Sequence, residues 1–189
     1  MTKPQFRSQI LSLRETLAPD MRAEYSRRIA QTLISLPQFG AARTVHCYLS
    51  FGTEVETEYI RLAAFASGKR VAVPIHEKHN PILQHRFITD THEFTPGHWN
   101  VPVPIIDNTV LLSAADLALT ASDIIIVPLV AFDRSKHRLG YGKGFYDRFL
   151  HTEKAITIGI GFSIQEVEHI PIEPHDETLS MIITENTIY

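Results

Sequence analysis

The segment RLGYGKGFYDRF, residues 138–149, carries the residue types that bind phosphate groups. Three glycines alternate at positions 140, 142 and 144, Arg138 and Lys143 supply positive charge, and Asp147 follows. Glycine allows positive φ and close backbone approach, so that amide groups at the start of a following helix can bind an anion. The spacing matches neither a Walker A motif nor the dinucleotide pattern G-x-G-x-x-G. The loop therefore predicts an anion site, and a tight turn with two solvated basic residues is the alternative.

Acidic and aromatic residues elsewhere in the chain offer further ligand contacts. Mg²⁺ bound with a nucleotide takes one or two carboxylates, so Asp147 and Asp176 are candidate metal ligands. Their alternatives are a helix-dipole contact worth about 0.3–1 kcal/mol for Asp147 and a turn aspartate for Asp176. Glu54 precedes a predicted helix and is free to contact a polar ligand. Trp99, the only tryptophan, is either a packed cover or a stacking surface for a planar ligand.

Alternating strand and helix patterns must position these side chains. Apolar periodicity predicts helices at 3–17, 21–36, 56–67, 113–119 and 144–151, and strands at 44–49, 69–74, 83–88, 123–128, 155–160 and 180–184. This alternation is typical of an α/β protein with a mainly parallel central sheet flanked by helices on both faces. No linker or repeat interrupts it, which predicts a single domain over residues 1–189. Ligands bind beyond the carboxyl ends of such strands, so the loops after residues 49, 131 and 160 should meet at one edge.

The first predicted helix illustrates the pattern. Four apolar residues recur at helical spacing and should form its buried face: Phe6, Ile10, Leu13 and Leu17. Three basic residues then fall close to another face: Lys3, Arg7 and Arg14. The segment between 95 and 104 is expected to be a proline-rich loop, and the second helix is expected to end at Pro37.

Composition excludes several classes of protein. Of 189 residues 44% are hydrophobic and 21% are charged, as in globular rather than disordered proteins. The formal net charge of −3 argues against broad nucleic-acid binding. The sequence has neither a secretory signal nor the roughly 20 apolar residues that span a bilayer, so we expect a cytoplasmic protein without a membrane partner. The single cysteine, Cys47, lies in an apolar strand and reads as a packed thiol rather than a nucleophile.

Several segments of this chain, including the glycine-rich loop described above, together resemble the 5-formyltetrahydrofolate cyclo-ligase family, whose members are also called 5,10-methenyltetrahydrofolate synthetases. The resemblance covers nearly the whole chain in the family's order. It rests on Lys3 to Arg7 with Arg14, SFGTEVET, GKRVAVP, HWNVPVP, DIIIVPLVAFD, RLGYGKGFYDRF and IPIEPHDETLSMIITE. The glycine loop with its upstream FD pair is the most specific block.

The resemblance implies an enzyme, an ATP- and Mg²⁺-dependent ligase of one-carbon metabolism. It would cyclise 5-formyltetrahydrofolate to 5,10-methenyltetrahydrofolate and release ADP and phosphate. In the family's mechanism the formyl oxygen attacks the γ-phosphate, and N10 of the folate then displaces phosphate. Such chemistry needs positioning and charge neutralisation rather than a protein nucleophile. Small-molecule partners and a monomer are expected.

The same resemblance implies roles for individual residues. ATP would be bound by Lys3, Arg7, Arg138, Leu139, Gly140, Tyr141, Gly142, Lys143, Gly144, Phe145 and Tyr146. Within that set the catalytic residues would be Lys143, nearest the transferred phosphate, and Arg138. The folate would be contacted by Leu49, Glu54, Trp99, Tyr141 and Phe145. Magnesium would be held by Asp147 and Asp176.

Two positions depart from the family's common pattern. Val103 stands before Pro104 where a glutamate is frequent, and Tyr141 stands where an arginine is common. These departures support an alternative hypothesis, a non-catalytic or substrate-diverged nucleotide- or folate-binding paralogue. A sugar-phosphate isomerase-like protein is a third hypothesis, but it leaves the block from Lys3 to Arg7 unexplained.

Overall fold

The computed structural model describes residues 2–77, 80–105 and 111–189, with the side chain of Trp99 outside the description. The helices are α1 (Lys3–Glu15), α2 (Pro19–Ile34), α3 (Pro37–Ala41), α4 (Glu58–Ala66), α5 (Ala114–Leu117) and α6 (Phe145–Leu150). The strands are β1 (Thr44–Cys47), β2 (Arg70–Ile75), β3 (Gln84–Ile88), β4 (Phe94–Pro96), β5 (Pro102–Pro104), β6 (Ile124–Pro128), β7 (Ala131–Phe132), β8 (Arg138–Leu139), β9 (Ile156–Ile160) and β10 (Met181–Ile183).

A six-stranded sheet in the order β10-β9-β6-β1-β2-β3 forms the centre of the molecule. Neighbours from β10 to β2 pair in parallel, and β3 pairs antiparallel to β2 at one edge. The prediction of a mainly parallel sheet is confirmed, with one antiparallel edge strand. From β1 the chain moves to β2 and β3 on one side and later returns to β6 on the other. The order therefore reverses between β1 and β6, where α/β sheets bind ligands.

Both faces of the sheet are covered by helices, as expected for strands that read as continuous apolar runs. In β6, Ile124 and Ile126 pack with α2, α3 and α4 on one face. Ile125 and Val127 alternate with them and pack with α5 and α6 on the other face. The buried run at 124–127 is thus divided between two cores. In the described part of the chain no helix is long and apolar enough to cross a membrane.

Three local predictions were wrong. Residues 94–104 form an antiparallel hairpin, β4 with β5, around a 3-10 turn at His98–Asn100 instead of a loop. The second helix ends at Ile34 rather than at Pro37, which instead opens the short helix α3, where its fixed φ suits the first helical position. On α1 the buried residues are Ile10 and Arg14, whereas Leu13 is 37% exposed.

Candidate active site

A cleft of about 480 Å³ opens at the carboxyl ends of β1, β2 and β6. Tyr48 and Leu49 follow β1, His76 follows β2, and Pro128 ends β6, and all four line the cleft. The sequence placed ligand loops at this edge, and the segments after β1, after β7 and near residue 176 do meet there. The contribution of β2 was missed, although the same rule about strand ends predicts it.

The glycine loop forms one wall of the cleft and is held by α1. Gly142 has φ +93°, and a Cβ there would lie 2.9 Å from Cζ of Arg7. Arg7 in turn donates from Nε to the carbonyl oxygen of Gly140 at 2.7 Å. Gly144, with φ +65°, is the N-cap of α6. The loop therefore needs glycine at 142 and 144 for its conformation, and at 142 also for the close approach of a guanidinium.

The FD pair upstream of the loop has a structural role. Asp133 is buried at the turn between β7 and β8, where its carboxylate accepts from the backbone amides of Ser135, His137 and Ile170 at 3.0 to 3.1 Å. Burial opposes ionisation, but these bonds and the His137 ring prevail and lower the pKa of Asp133. The carboxylate thereby fixes the hairpin that ends at Leu139 and presents the loop to the cleft.

Two ion pairs bring the candidate metal ligands to the same cleft. Lys3 Nζ lies 2.6 Å from Oδ2 of Asp176 and 2.8 Å from Oε2 of Glu173. Buried Arg138 contacts Oδ1 of Asp147 from Nη2 at 2.7 Å. Burial works against ionisation of Asp176, but Lys3 and the amide of Glu173 outweigh it and lower the pKa. The ionised form of Asp176 is therefore favoured, and each of the two aspartates is held in place by a cation.

The donor chemistry of these residues fits magnesium. Carboxylate oxygens are its preferred protein ligands, and the bonds just described use one oxygen of each aspartate. His175 adds a third possible ligand atom beside Glu173 and Asp176, and the three atoms lie within 4.8 Å of one another. Glu173, His175 and Asp176 could therefore offer ligand atoms to one cation, and this group, found among the described residues, does not include Asp147.

Glu54 lies on the side of the cleft that follows β1, and three elements fix it. Its Oε1 accepts from the hydroxyl of Tyr141 at 2.7 Å, and its Oε2 accepts from the amide of Phe51 at 3.1 Å. Arg14 donates from Nη2 to the same hydroxyl at 3.0 Å and from Nε to Thr53 Oγ1 at 2.9 Å. Burial raises the pKa of Glu54 to about 7, while Tyr141, the amide of Phe51 and the charge of Arg14 oppose the rise.

Behind the cleft, two buried histidines join β1 to β3. His46 Nε2 and His85 Nδ1 are 3.0 Å apart, and both rings pack against Phe149 of α6. Burial lowers the pKa of His46 well below its usual value and that of His85 to about 4, so both rings are neutral at pH 7. The pair links the edge strand to the sheet.

Nearly all residues that the sequence singled out line this one cleft. They are Lys3, Arg7, Leu49, Glu54, Arg138, Leu139, Gly140, Tyr141, Gly142, Lys143, Gly144, Phe145, Tyr146, Asp147 and Asp176. The position of the Trp99 side chain lies outside the described residues. Val103 belongs to β5, beside Gly97, and is not among the described residues that line the cleft. Cys47 is fully buried, as predicted.

Sequence reasoning missed several neighbours of the cleft. Phe51 stacks obliquely on Tyr141 with ring centroids 5.8 Å apart. Val101 and Glu173 also line the cleft. In the sequence these three residues are marked only by their proximity to residues that were predicted to belong to the site. Arg14 lies behind the wall and reaches the site through Tyr141.

The sheet, its switch-point cleft and the glycine loop define an α/β enzyme for small molecules. The chain belongs to the 5-formyltetrahydrofolate cyclo-ligase family, a family of ligases, whose sequence model matches residues 1–185. It is 30% identical over 182 residues to the 5-formyltetrahydrofolate cyclo-ligase of Escherichia coli K12, covering 93% of this chain and 96% of that protein. The mouse cyclo-ligase is 27% identical over 194 residues, covering 98% and 94%.

Solved structures agree with this assignment. The 5,10-methenyltetrahydrofolate synthetase of Aquifex aeolicus superposes with a TM-score of 0.81 at 25% identity, covering 100% of this chain and 92% of that one. The synthetase of Mycoplasma pneumoniae gives 0.74 at 25% identity, covering 98% and 99%. The predicted family and fold are confirmed.

Proposed function

We propose that this protein uses ATP and Mg²⁺ to convert 5-formyltetrahydrofolate into 5,10-methenyltetrahydrofolate, with release of ADP and phosphate. The observation that carries the proposal is one cleft whose lining combines two chemistries. Cations, glycines and aspartates line it together with apolar and aromatic side chains and Glu54. We assign the first set to one side of the cleft and the second set to the other. One domain, a monomer and a cytoplasmic location remain part of the proposal.

The cationic side is proposed to bind ATP. Lys3 and Arg7 reach it from α1, and Lys143 and Arg138 reach it from the glycine loop and its hairpin. Gly140, Gly142 and Gly144 bring backbone close to the ligand, which suits a polyphosphate. In this assignment Lys143 neutralises charge on the transferred phosphate, and Arg138 fixes Asp147 while adding positive potential.

The other side is proposed to bind the folate. Leu49 and Phe145 offer apolar surface, Tyr141 offers a ring, and Glu54 offers a carboxylate. The 2-amino-4-oxo ring of a reduced folate presents two neighbouring N–H donors, which a carboxylate accepts well. Trp99 remains a candidate stacking residue on the basis of its sequence block.

The proposed chemistry follows from this arrangement. A formyl amide oxygen is a poor leaving group, and its attack on the γ-phosphorus, with departure of ADP, makes it a phosphate ester. N10 then bonds to the formyl carbon and loses its proton to solvent, and the carbon–oxygen bond breaks as phosphate leaves. Placing both ligands in one cleft supplies the orientation that this transfer needs. Magnesium held by Asp147 and Asp176 would neutralise phosphate charge.

A coupled measurement tests the proposal. With 5-formyltetrahydrofolate, ATP and Mg²⁺, we expect the methenyl product to absorb in the near ultraviolet in step with phosphate release. Lys143→Ala should abolish turnover because it removes charge at the transferred phosphate. The matched control is Lys154→Ala, an exposed lysine outside the cleft, which should turn over normally.

Two outcomes would contradict the proposal. Normal turnover by a folded Lys143→Ala variant would refute the assignment of the glycine loop. Binding of ATP and the folate by the unmodified protein without phosphate release would favour the non-catalytic paralogue.

A further inference from the structure

Arg14 and Tyr141 form a hydrogen-bonded chain that ends on Glu54. The guanidinium of Arg14 donates to the hydroxyl of Tyr141 at 3.0 Å, and that hydroxyl donates to Oε1 of Glu54 at 2.7 Å. Arg14 is only 4% exposed, and Glu54 is 6% exposed. The three residues come from α1, the glycine loop and the segment after β1. A buried guanidinium thus acts on a buried carboxylate through one hydroxyl.

Tyrosine is chemically suited to the middle of this chain. A phenolic hydroxyl accepts one hydrogen bond and donates another, whereas an arginine side chain only donates. Burial raises the pKa of Tyr141, so its hydroxyl keeps the proton that Glu54 receives as a hydrogen bond. An arginine at 141 would instead place a second cation beside Arg14.

We propose that Arg14 and Tyr141 are positioning residues that orient the Glu54 carboxyl group for the N–H edge of the folate ring. The inference rests on the proposed function and adds which residues prepare the folate side. Each oxygen of Glu54 takes one bond from Tyr141 or Phe51 and keeps capacity for a ligand donor. Bidentate acceptance would fix the ring and hence the formyl group relative to ATP.

Electrostatics of the surroundings support this role. The titratable groups that act on Glu54 are Arg14 from α1, Tyr141 from the glycine loop, Tyr48 after β1 and Tyr146 from α6. Burial raises the pKa of all three tyrosines, so Arg14 is the charged member of the set at neutral pH. Removing Arg14 or the hydroxyl of Tyr141 would raise the pKa of Glu54 above its value of about 7.

Calorimetric binding of 5-formyltetrahydrofolate without ATP tests the inference for Tyr141→Phe. At pH 7 we expect affinity to fall at least about fivefold, because a rise of the Glu54 pKa by about one unit from about 7 lowers its ionised fraction from about one half to about one tenth. In the unmodified protein affinity should rise as pH increases through about 7, where Glu54 ionises. In the variant this inflection should move up by about one pH unit.

The chain contains a closely matched control. Tyr189 donates to Oε2 of Glu166 at 2.6 Å, and Arg134 donates to Oε1 of the same residue at 2.6 Å. This arrangement of arginine, glutamate and tyrosine lies outside the cleft. Tyr189→Phe loses the same atom from the same kind of contact, and it should leave folate affinity and its pH dependence unchanged.

A second variant separates positioning from simple loss of structure. Arg14→Gln should weaken folate binding, and combining it with Tyr141→Phe should add little, because both act through the same hydroxyl. Additive losses, or an unchanged affinity and pH inflection in folded Tyr141→Phe, would overturn the inference. Since folate binding is measured without turnover, these results are independent of whether the protein forms the methenyl product.

Discussion

Gly142 is the position where one methyl group should damage the ATP side most selectively. Its φ of +93° is strained for any residue with a Cβ, and that Cβ would lie 2.9 Å from Cζ of Arg7 and 3.1 Å from both terminal nitrogens. The methyl group must therefore displace the guanidinium or the loop. Gly140 lies two residues away in the same loop, and a Cβ there would meet nothing within 4 Å.

For Gly142→Ala the cost can be estimated from the backbone alone. A left-handed conformation costs an alanine about 1–2 kcal/mol, so the binding conformation becomes roughly 5- to 30-fold less populated. Displacement of Arg7 adds to this loss. We expect the KM for ATP to rise at least about fivefold in the Gly142→Ala protein, while folate binding without ATP stays nearly normal.

The assay is ATP titration of turnover together with thermal melting for Gly142→Ala and Gly140→Ala. Gly140→Ala should raise the KM for ATP less than Gly142→Ala does, because its backbone is not strained and an added Cβ would meet no protein atom within 4 Å. If both variants had the same KM for ATP, or if only folate binding weakened, the assignment of this wall to ATP would be refuted.

Two further predictions concern the core. The pKa of His85 is about 4 in the folded protein and 6.5 for the free ring, so the unfolded chain takes up protons first as the pH falls. The contribution of His85 to the free energy of unfolding is therefore fully present above pH 6.5 and is lost as the pH falls towards 4. Urea denaturation should show that the free energy of unfolding falls by about 2 kcal/mol between pH 6.5 and 5 because of His85, and His46 acts in the same direction. The control is the exposed His151→Gln, which should leave this pH dependence unchanged. A urea midpoint that stays constant over this range, or a pH dependence that His151→Gln alters, would contradict the prediction. Burial raises the pKa of Cys47 to about 12, so a thiol reagent at pH 8 should react with it only after denaturation, and rapid labelling of the native protein would disprove its burial.

The parts of the fold that rest on local patterns were predictable from the sequence. Ile124 to Val127 are apolar without alternation, which indicates a strand covered on both faces, and the structure divides them between two cores. The order of strands and helices then placed the loops at one edge. The hairpin β4–β5 escaped prediction because prolines at 96, 102 and 104 are poor strand residues, tolerated here in a two-stranded ribbon.

The side-chain contacts within the candidate site were not predictable, because they join residues that are distant in the sequence. Arg14 was assigned to a face apart from the apolar residues of α1, yet it is buried because Tyr141 and Thr53 accept its hydrogen bonds. Those partners are 127 and 39 residues away in the sequence. The loop spacing likewise treats Gly140 and Gly142 alike, whereas an added Cβ would meet the guanidinium of Arg7 at Gly142 and nothing within 4 Å at Gly140.

The ion pair between Lys3 and Asp176 joins residues that are 173 positions apart. Closing so long a loop costs conformational entropy that only a largely formed sheet offsets. The side of the cleft that contains this pair is therefore expected to form late in folding. A ribosome must release almost the whole chain before the pair can form, so the proposed nucleotide site would be incomplete in partly synthesised molecules.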